Sequence, residues 1–218
     1  MTTSEPVQET LALNFSQPSK PRVLLAASGS VAAIKFESLC RSFSEWAEVR
    51  AVATKASLHF TDRKSLPSDI ILYTDDDEWS TWKKIGDEVL HIELRKWADI
   101  MVIAPLSANT LAKIAGGLCD NLLTCIVRAW DYSKPLFVAP AMNTFMWNNP
   151  FTNRHLETIN QLAATSHLAD AATILFKFKL SWSVYLSKCR NKLTMTWDRQ
   201  DYKAKMVTTK HEDKTKFR

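Results

Sequence analysis

The stretch Asp99-Ile-Met-Val-Ile-Ala-Pro-Leu-Ser-Ala-Asn-Thr110 decides the fold. After Asp99, residues Ile100 to Ala104 form an apolar run with little polar alternation, as expected of a parallel strand covered on both faces. The run stops at Pro105, and three hydrogen-bonding side chains, Ser107, Asn109 and Thr110, then lead into a segment of helical pattern, Ala108 to Ala115. Three further runs of the same kind flank it: Arg22–Ala27, Glu48–Ala53 and Pro135–Ala139. Segments between them read as helices at about Val31–Trp46 and Asn121–Trp130, with a short helix expected near Trp79–Ile85 in the longer connection from Ser65 to Val89. Strand and helix in alternation predict a single-domain, three-layer α/β/α fold around a doubly wound, flavodoxin-like parallel sheet.

Composition agrees and sets limits. A chain of 218 residues, 46% hydrophobic and 23% charged, suffices for one domain with a sizeable core. No apolar run approaches the roughly 18 residues that would suggest a span, so no membrane partner is expected. No secretory signal is seen at the N-terminus, and a cytoplasmic location with reduced thiols is expected. Cys40, Cys119, Cys125 and Cys189 form no CxxC pair and show no zinc-type spacing, so no metal is expected. The net charge of +5 belongs to the end of the chain: residues 163–218 carry 12 basic against 5 acidic residues, and residues 1–162 carry 16 against 18. A basic tail alone reads as a solvated extension, and no nucleic-acid partner is expected. The expected organisation is a leader at 1–20, the α/β domain at 21–162 and a divergent basic segment at 163–218.

In doubly wound sheets ligands bind beyond the carboxyl ends of the strands. After the first strand come Gly29, Ser30 and Val31, a loop with one glycine where a dinucleotide fingerprint would have three. A single phosphate at a helix start, as in FMN, is the natural occupant, although a ligand-free cap has the same sequence. Thr54 and Ser57 follow the second strand at cap spacing, able to serve a phosphate or only the helix, and His59 nearby reads as structural. Ser107, Ala108, Asn109 and Thr110 follow the third, and their surplus of small polar groups suits a polar ring edge or a ribityl chain. After the fourth, Asn143 places a carboxamide where a carboxylate could be held, while Met142, Met146 and Trp147 read as packing. Gly116-Gly117 reads as a C-cap. His91 and Arg95 are four apart, so on a helix they would share a face, a base beside an anion-binding cation.

Three segments taken together, ASGSVAAIK, ELRKWADIMVIAPLSANTLAKIAGGLCDNLL and PLFVAPAMNTFMWNNP, resemble the homo-oligomeric flavin-containing cysteine decarboxylases. Within them the chain is most similar to the phosphopantothenoylcysteine decarboxylases of coenzyme A biosynthesis, of the plant halotolerance-determinant type. The resemblance implies FMN held by Gly29, Ser30, Val31, Thr54, Ser57, Ser107, Ala108, Asn109, Thr110 and Ala141. It implies His91 as the base, Asn143 orienting the substrate carboxylate, Arg95 as an anionic-group contact, and a homotrimer with the site at a subunit interface. The likeness ends near residue 162. The family's later Ala-Cys-Gly loop, whose cysteine donates the proton of the final reduction, has no counterpart, and Cys189 sits in an unrelated context. Decarboxylation with an impaired final reduction is therefore expected. The alternatives are a non-enzymatic flavoprotein regulator, such as a phosphatase inhibitory subunit in salt tolerance, and an inactive splice isoform.

Overall fold

The computed structural model describes residues 20–164, so the expected leader and basic C-terminal segment, Cys189 included, lie almost wholly outside the described residues. Five parallel strands form one sheet in the order β3-β2-β1-β4-β5. They are β1 Arg22–Ala27, β2 Glu48–Ala53, β3 Ile71–Tyr73, β4 Ile100–Leu106 and β5 Leu136–Pro140. The helices are α1 Phe36–Ser44, α2 Asp75–Thr81, α3 Leu90–Trp97, α4 Ala108–Ala115, α5 Leu122–Arg128, α6 Thr144–Trp147 and α7 Pro150–Ala164.

Side chains of a strand alternate between faces, and β1 feeds two cores accordingly. Val23, Leu25 and Ala27 join Phe36, Leu39, Cys40 and Phe43 of α1 on one face. Leu24 and Ala26 join Leu94, Leu111, Ile114, Leu122, Ile126 and Ile159 on the other, under α3, α4, α5 and α7. A strand buried on both faces needs a predominantly apolar run, and β1 and β2 begin and end where expected.

Several boundaries differ from expectation. The first helix is not continuous from Val31 to Trp46. Val31–Lys35 is a 3₁₀ turn, with the Ala33 N–H on the Ser30 carbonyl, and α1 starts only at Phe36. β4 runs past Ala104 through Leu106, which pairs with Pro140 of β5 after a register shift. The helix expected at Trp79–Ile85 occupies Asp75–Thr81. A Thr74/Asp77 capping box starts it, and four acidic residues in its first turn complement the helix dipole. β3, α6 and α7 were not anticipated. The glycine pair closes α4 as expected: Gly117 has φ +70°, its N–H reaches the Ile114 carbonyl and the Leu118 N–H reaches that of Lys113. Among the described residues no helix is long and apolar enough to cross a membrane.

Candidate active site

The chain reverses its direction of travel across the sheet between β1 and β4, and the crevice there is braced by one hydroxyl. Ser28, fully buried, donates from Oγ to the Pro105 carbonyl at 3.0 Å and accepts the Ser107 N–H at 2.7 Å. The Ser28 N–H also reaches the Pro105 carbonyl, at 3.0 Å. Three bonds therefore pin the loop after β1 to the loop after β4, where the sequence shows Ser28 only as one of two loop hydroxyls. Its signal was available: a serine at the end of an apolar strand is a buried polar group that requires partners.

Gly29 comes next. A Cβ there would lie 2.5 Å from the Ala56 Cβ, so the lack of a side chain lets the loops after β1 and β2 touch. Ser30 caps the 3₁₀ turn by accepting the Ala32 N–H. Thr54 and Ser57 are both buried. Ser57 Oγ donates to the Thr54 carbonyl at 2.7 Å and accepts from Thr54 Oγ1 at 3.4 Å. Ser107 is likewise turned inward, its Oγ accepting the Thr110 N–H and donating to Thr110 Oγ1 at 3.2 Å. The ten residues expected to hold a flavin thus divide in two. Thr54, Ser57, Ser107 and Thr110 are buried and brace the loops, while Gly29, Ser30, Val31, Ala108, Asn109 and Ala141 present surface. Ala108 and Ala141 are small and half-buried beyond the ends of β4 and β5, the space at Gly29 is taken up by Ala56, and Ser30 and Asn109 offer polar atoms at the margin. A flat ring system with a single phosphate fits that arrangement.

Asn143 caps α6. Its Oδ1 accepts the Phe145 N–H at 2.7 Å, which fixes the flip of the carboxamide and turns the Nδ2 amine, a donor, toward the outside. That polarity suits a carboxylate ligand. Ala141 is fixed by its N–H on the Leu106 carbonyl at 2.9 Å.

His91 lies in the first turn of α3, and Arg95 lies one turn on. Crossover helices start on the side where the preceding strand ends, so His91 stands at the carboxyl edge of the sheet. Arg95 is already engaged, its Nε donating to the Ala129 carbonyl at 2.9 Å and its terminal amine 3.8 Å from Asp131. His91 Nδ1 is 2.5 Å from Glu78 Oε1, a partner that the sequence reading left inside an acidic run. Cys125 of α5 completes a cluster whose ligand-type atoms all lie within 4.8 Å. Burial, and after it the charge of Glu78, pushes the Cys125 thiol up to about 11, so it is a neutral thiol near pH 7.

The Flavoprotein family profile matches residues 13–179. The chain belongs to the Flavoprotein family. Among relatives of this flavoprotein, "Phosphopantothenoylcysteine decarboxylase" of Oryza sativa subsp. japonica is 94% identical over 162 residues, 74% of each chain. A cysteine-to-serine mutant of a PPC decarboxylase, solved in complex with pantothenoylaminoethenethiol, superposes with TM-score 0.73 at 61% identity, over 80% of this flavoprotein and 99% of that chain. "The FMN binding protein AtHal3" superposes with TM-score 0.70 at 63% identity, over 81% and 98%. The flavodoxin-like single domain expected from the sequence is that of these structures.

Proposed function

We infer that this flavoprotein catalyses the FMN-dependent decarboxylation of 4′-phosphopantothenoylcysteine, toward 4′-phosphopantetheine, in coenzyme A biosynthesis. One observation carries it: Ser28 pins together the loops after β1 and β4 that carry Gly29 and Ala108, in a chain 94% identical over 162 residues to a phosphopantothenoylcysteine decarboxylase.

FMN bound there would take two electrons from the cysteine side chain of the substrate, making loss of the neighbouring carboxylate favourable, and would return them afterwards. The protein supplies orientation and proton transfer. His91, through the ring nitrogen not engaged by Glu78, would take the proton of the substrate thiol. Asn143 donates from Nδ2 to the carboxylate, holding the bond that breaks in line for loss of carbon dioxide. Val31, 66% exposed, and Phe145, 86% exposed, follow β1 and β5 on the same edge. Large apolar side chains left in water at a site mouth suit cover by a second copy of the chain, in keeping with a homotrimer whose pocket is closed by a neighbour. Light scattering of the pure protein tests the assembly.

The chain contains no glycine after Gly117 and so no Ala-Cys-Gly loop. The reaction is accordingly read as running through decarboxylation and slowing at the return of electrons. Purified protein should absorb at about 450 nm from bound flavin, and with phosphopantothenoylcysteine should give an enethiol, two hydrogens lighter than the full product by mass. A colourless folded preparation, or substrate that keeps its carboxylate, overturns the assignment. Complete conversion would mean that the missing loop is dispensable.

A further inference from the structure

Two residues thirteen positions apart on the crossover between β3 and β4 form a pair of which the mechanism above uses only His91. Glu78 Oε1 lies 2.5 Å from His91 Nδ1, with side chains 13% and 26% exposed. The helix that carries Glu78 is held at its first turn by two other segments of the chain. At its start Thr74 and Asp77 cap each other, and Asp77 also takes a hydrogen bond from Arg63 at 2.8 Å. Asp75 Oδ1 accepts the Leu122 N–H at 2.8 Å, tying α2 to the first turn of α5. Glu78 is thus presented to α3 by a fixed element, unlike a surface side chain that happens to reach a histidine.

The short separation reads as a hydrogen bond and not as half of a metal chelate, because ligand atoms about 2.0 Å from a tetrahedral zinc stand roughly 3.3 Å apart. A carboxylate has no proton to give, so the bond runs from Nδ1–H of His91 to Glu78. The imidazole then carries its lone pair on Nε2, the nitrogen turned away from α2. An isolated neutral imidazole divides between two tautomers, whereas a carboxylate partner selects one and also fixes the ring plane.

We propose that Glu78 is the positioning residue for His91, selecting the Nδ1–H tautomer so that Nε2 is the basic atom offered to substrate. Its importance to turnover rests on His91 being the base, and the test keeps the two apart. Glu78→Gln preserves shape but can donate an amide N–H to Nδ1, which places the proton on Nε2 and removes the base. Glu78→Asp keeps the charge on a shorter arm. The holoprotein, labelled with ¹⁵N-histidine, is followed by long-range ¹H–¹⁵N correlation, and anaerobic substrate addition is followed by flavin bleaching.

Wild-type His91 should show the Nδ1–H pattern and E78Q the Nε2–H pattern. Bleaching by E78Q should slow about 100-fold, with KM within about threefold and flavin content unchanged, and E78D should recover part of the rate. An Nε2–H pattern in the wild type, or the same pattern in E78Q as in the wild type, overturns the proposal. So does a wild-type bleaching rate in E78Q when H91N is inactive, a result that leaves His91 in place as the base. A fully active H91N overturns the base assignment and Glu78's part in turnover together, while the tautomer pattern still reports whether Glu78 sets the ring.

Discussion

Ser28 and Ser107, 79 positions apart, share one buried hydroxyl bond: the Ser107 N–H donates to Ser28 Oγ at 2.7 Å, and the same oxygen donates to the Pro105 carbonyl. Both neighbours of that hydroxyl are backbone groups at the end of β4 and in the loop after it, so removing it leaves a buried donor and a buried acceptor unmatched. Ser28→Ala should cost about 1–3 kcal/mol of stability. Urea denaturation should show a lower midpoint with an unchanged slope, and flavin should be lost before the fold is. An unchanged midpoint would mean that the two loops do not depend on Ser28.

Gly29→Ala is expected to fold and to purify with little flavin, because its Cβ would fall 2.5 Å from Ala56 Cβ and force the first two loops apart. The contact is with one methyl group, so the defect should be repairable. In the double variant Gly29→Ala with Ala56→Gly, flavin content measured against protein should return most of the way to wild type, a non-additivity expected only of touching residues.

Asn143→Asp separates two duties of one side chain. Asp retains an oxygen to cap α6 on the Phe145 N–H, so the melting temperature should hold. It replaces the amide N–H donor by a negative oxygen where the substrate carboxylate is proposed to bind. KM should rise about tenfold or more, at least ~1.4 kcal/mol of lost binding. An unchanged KM would remove Asn143 from substrate recognition.

Acid sensitivity should depend partly on Asp99. Burial pushes its carboxyl up, but hydrogen bonds from the Arg22 side chain and backbone, with the charges of Arg22 and Lys134, outweigh burial and hold it below the usual carboxylate range. A depressed folded value means that the contribution is complete above the unfolded value, about 3.9, and is lost as pH falls through the folded one. Urea midpoints from pH 7 down to pH 3 should fall less steeply for Asp99→Asn than for wild type. Asp77 and Asp131 are held low as well, so some acid slope should remain.

Much of the scaffold was legible because both faces of the sheet are covered. Burial on two sides forces the apolar runs that mark β1 and β2, interrupted in β2 by Arg50, whose guanidinium lies over the Trp97 ring. β3 escaped notice because three residues with Ile71 55% exposed carry no periodicity. The acidic run at 75–78 looked like a solvated connection because composition cannot tell a helix-starting cap from a loop. The shared helix of His91 and Arg95 could be anticipated from their spacing, and the place of Asn143 from the end of β5, but its cap geometry could not, since the four-residue α6 carries no periodicity. Glu78 could not, since its role comes from a contact between α2 and α3 that no local pattern encodes. Nor does spacing alone reveal that Thr54, Ser57, Ser107 and Thr110 turn their hydroxyls inward.

Glu78 and His91 lie on one crossover, within a single chain. If neighbouring copies close the pocket, as proposed, their separation would uncover the crevice without disturbing the pair that handles the proton. Dilution would then suspend turnover in an intact protomer, and reassembly would restore it at the speed of association, with no refolding in between.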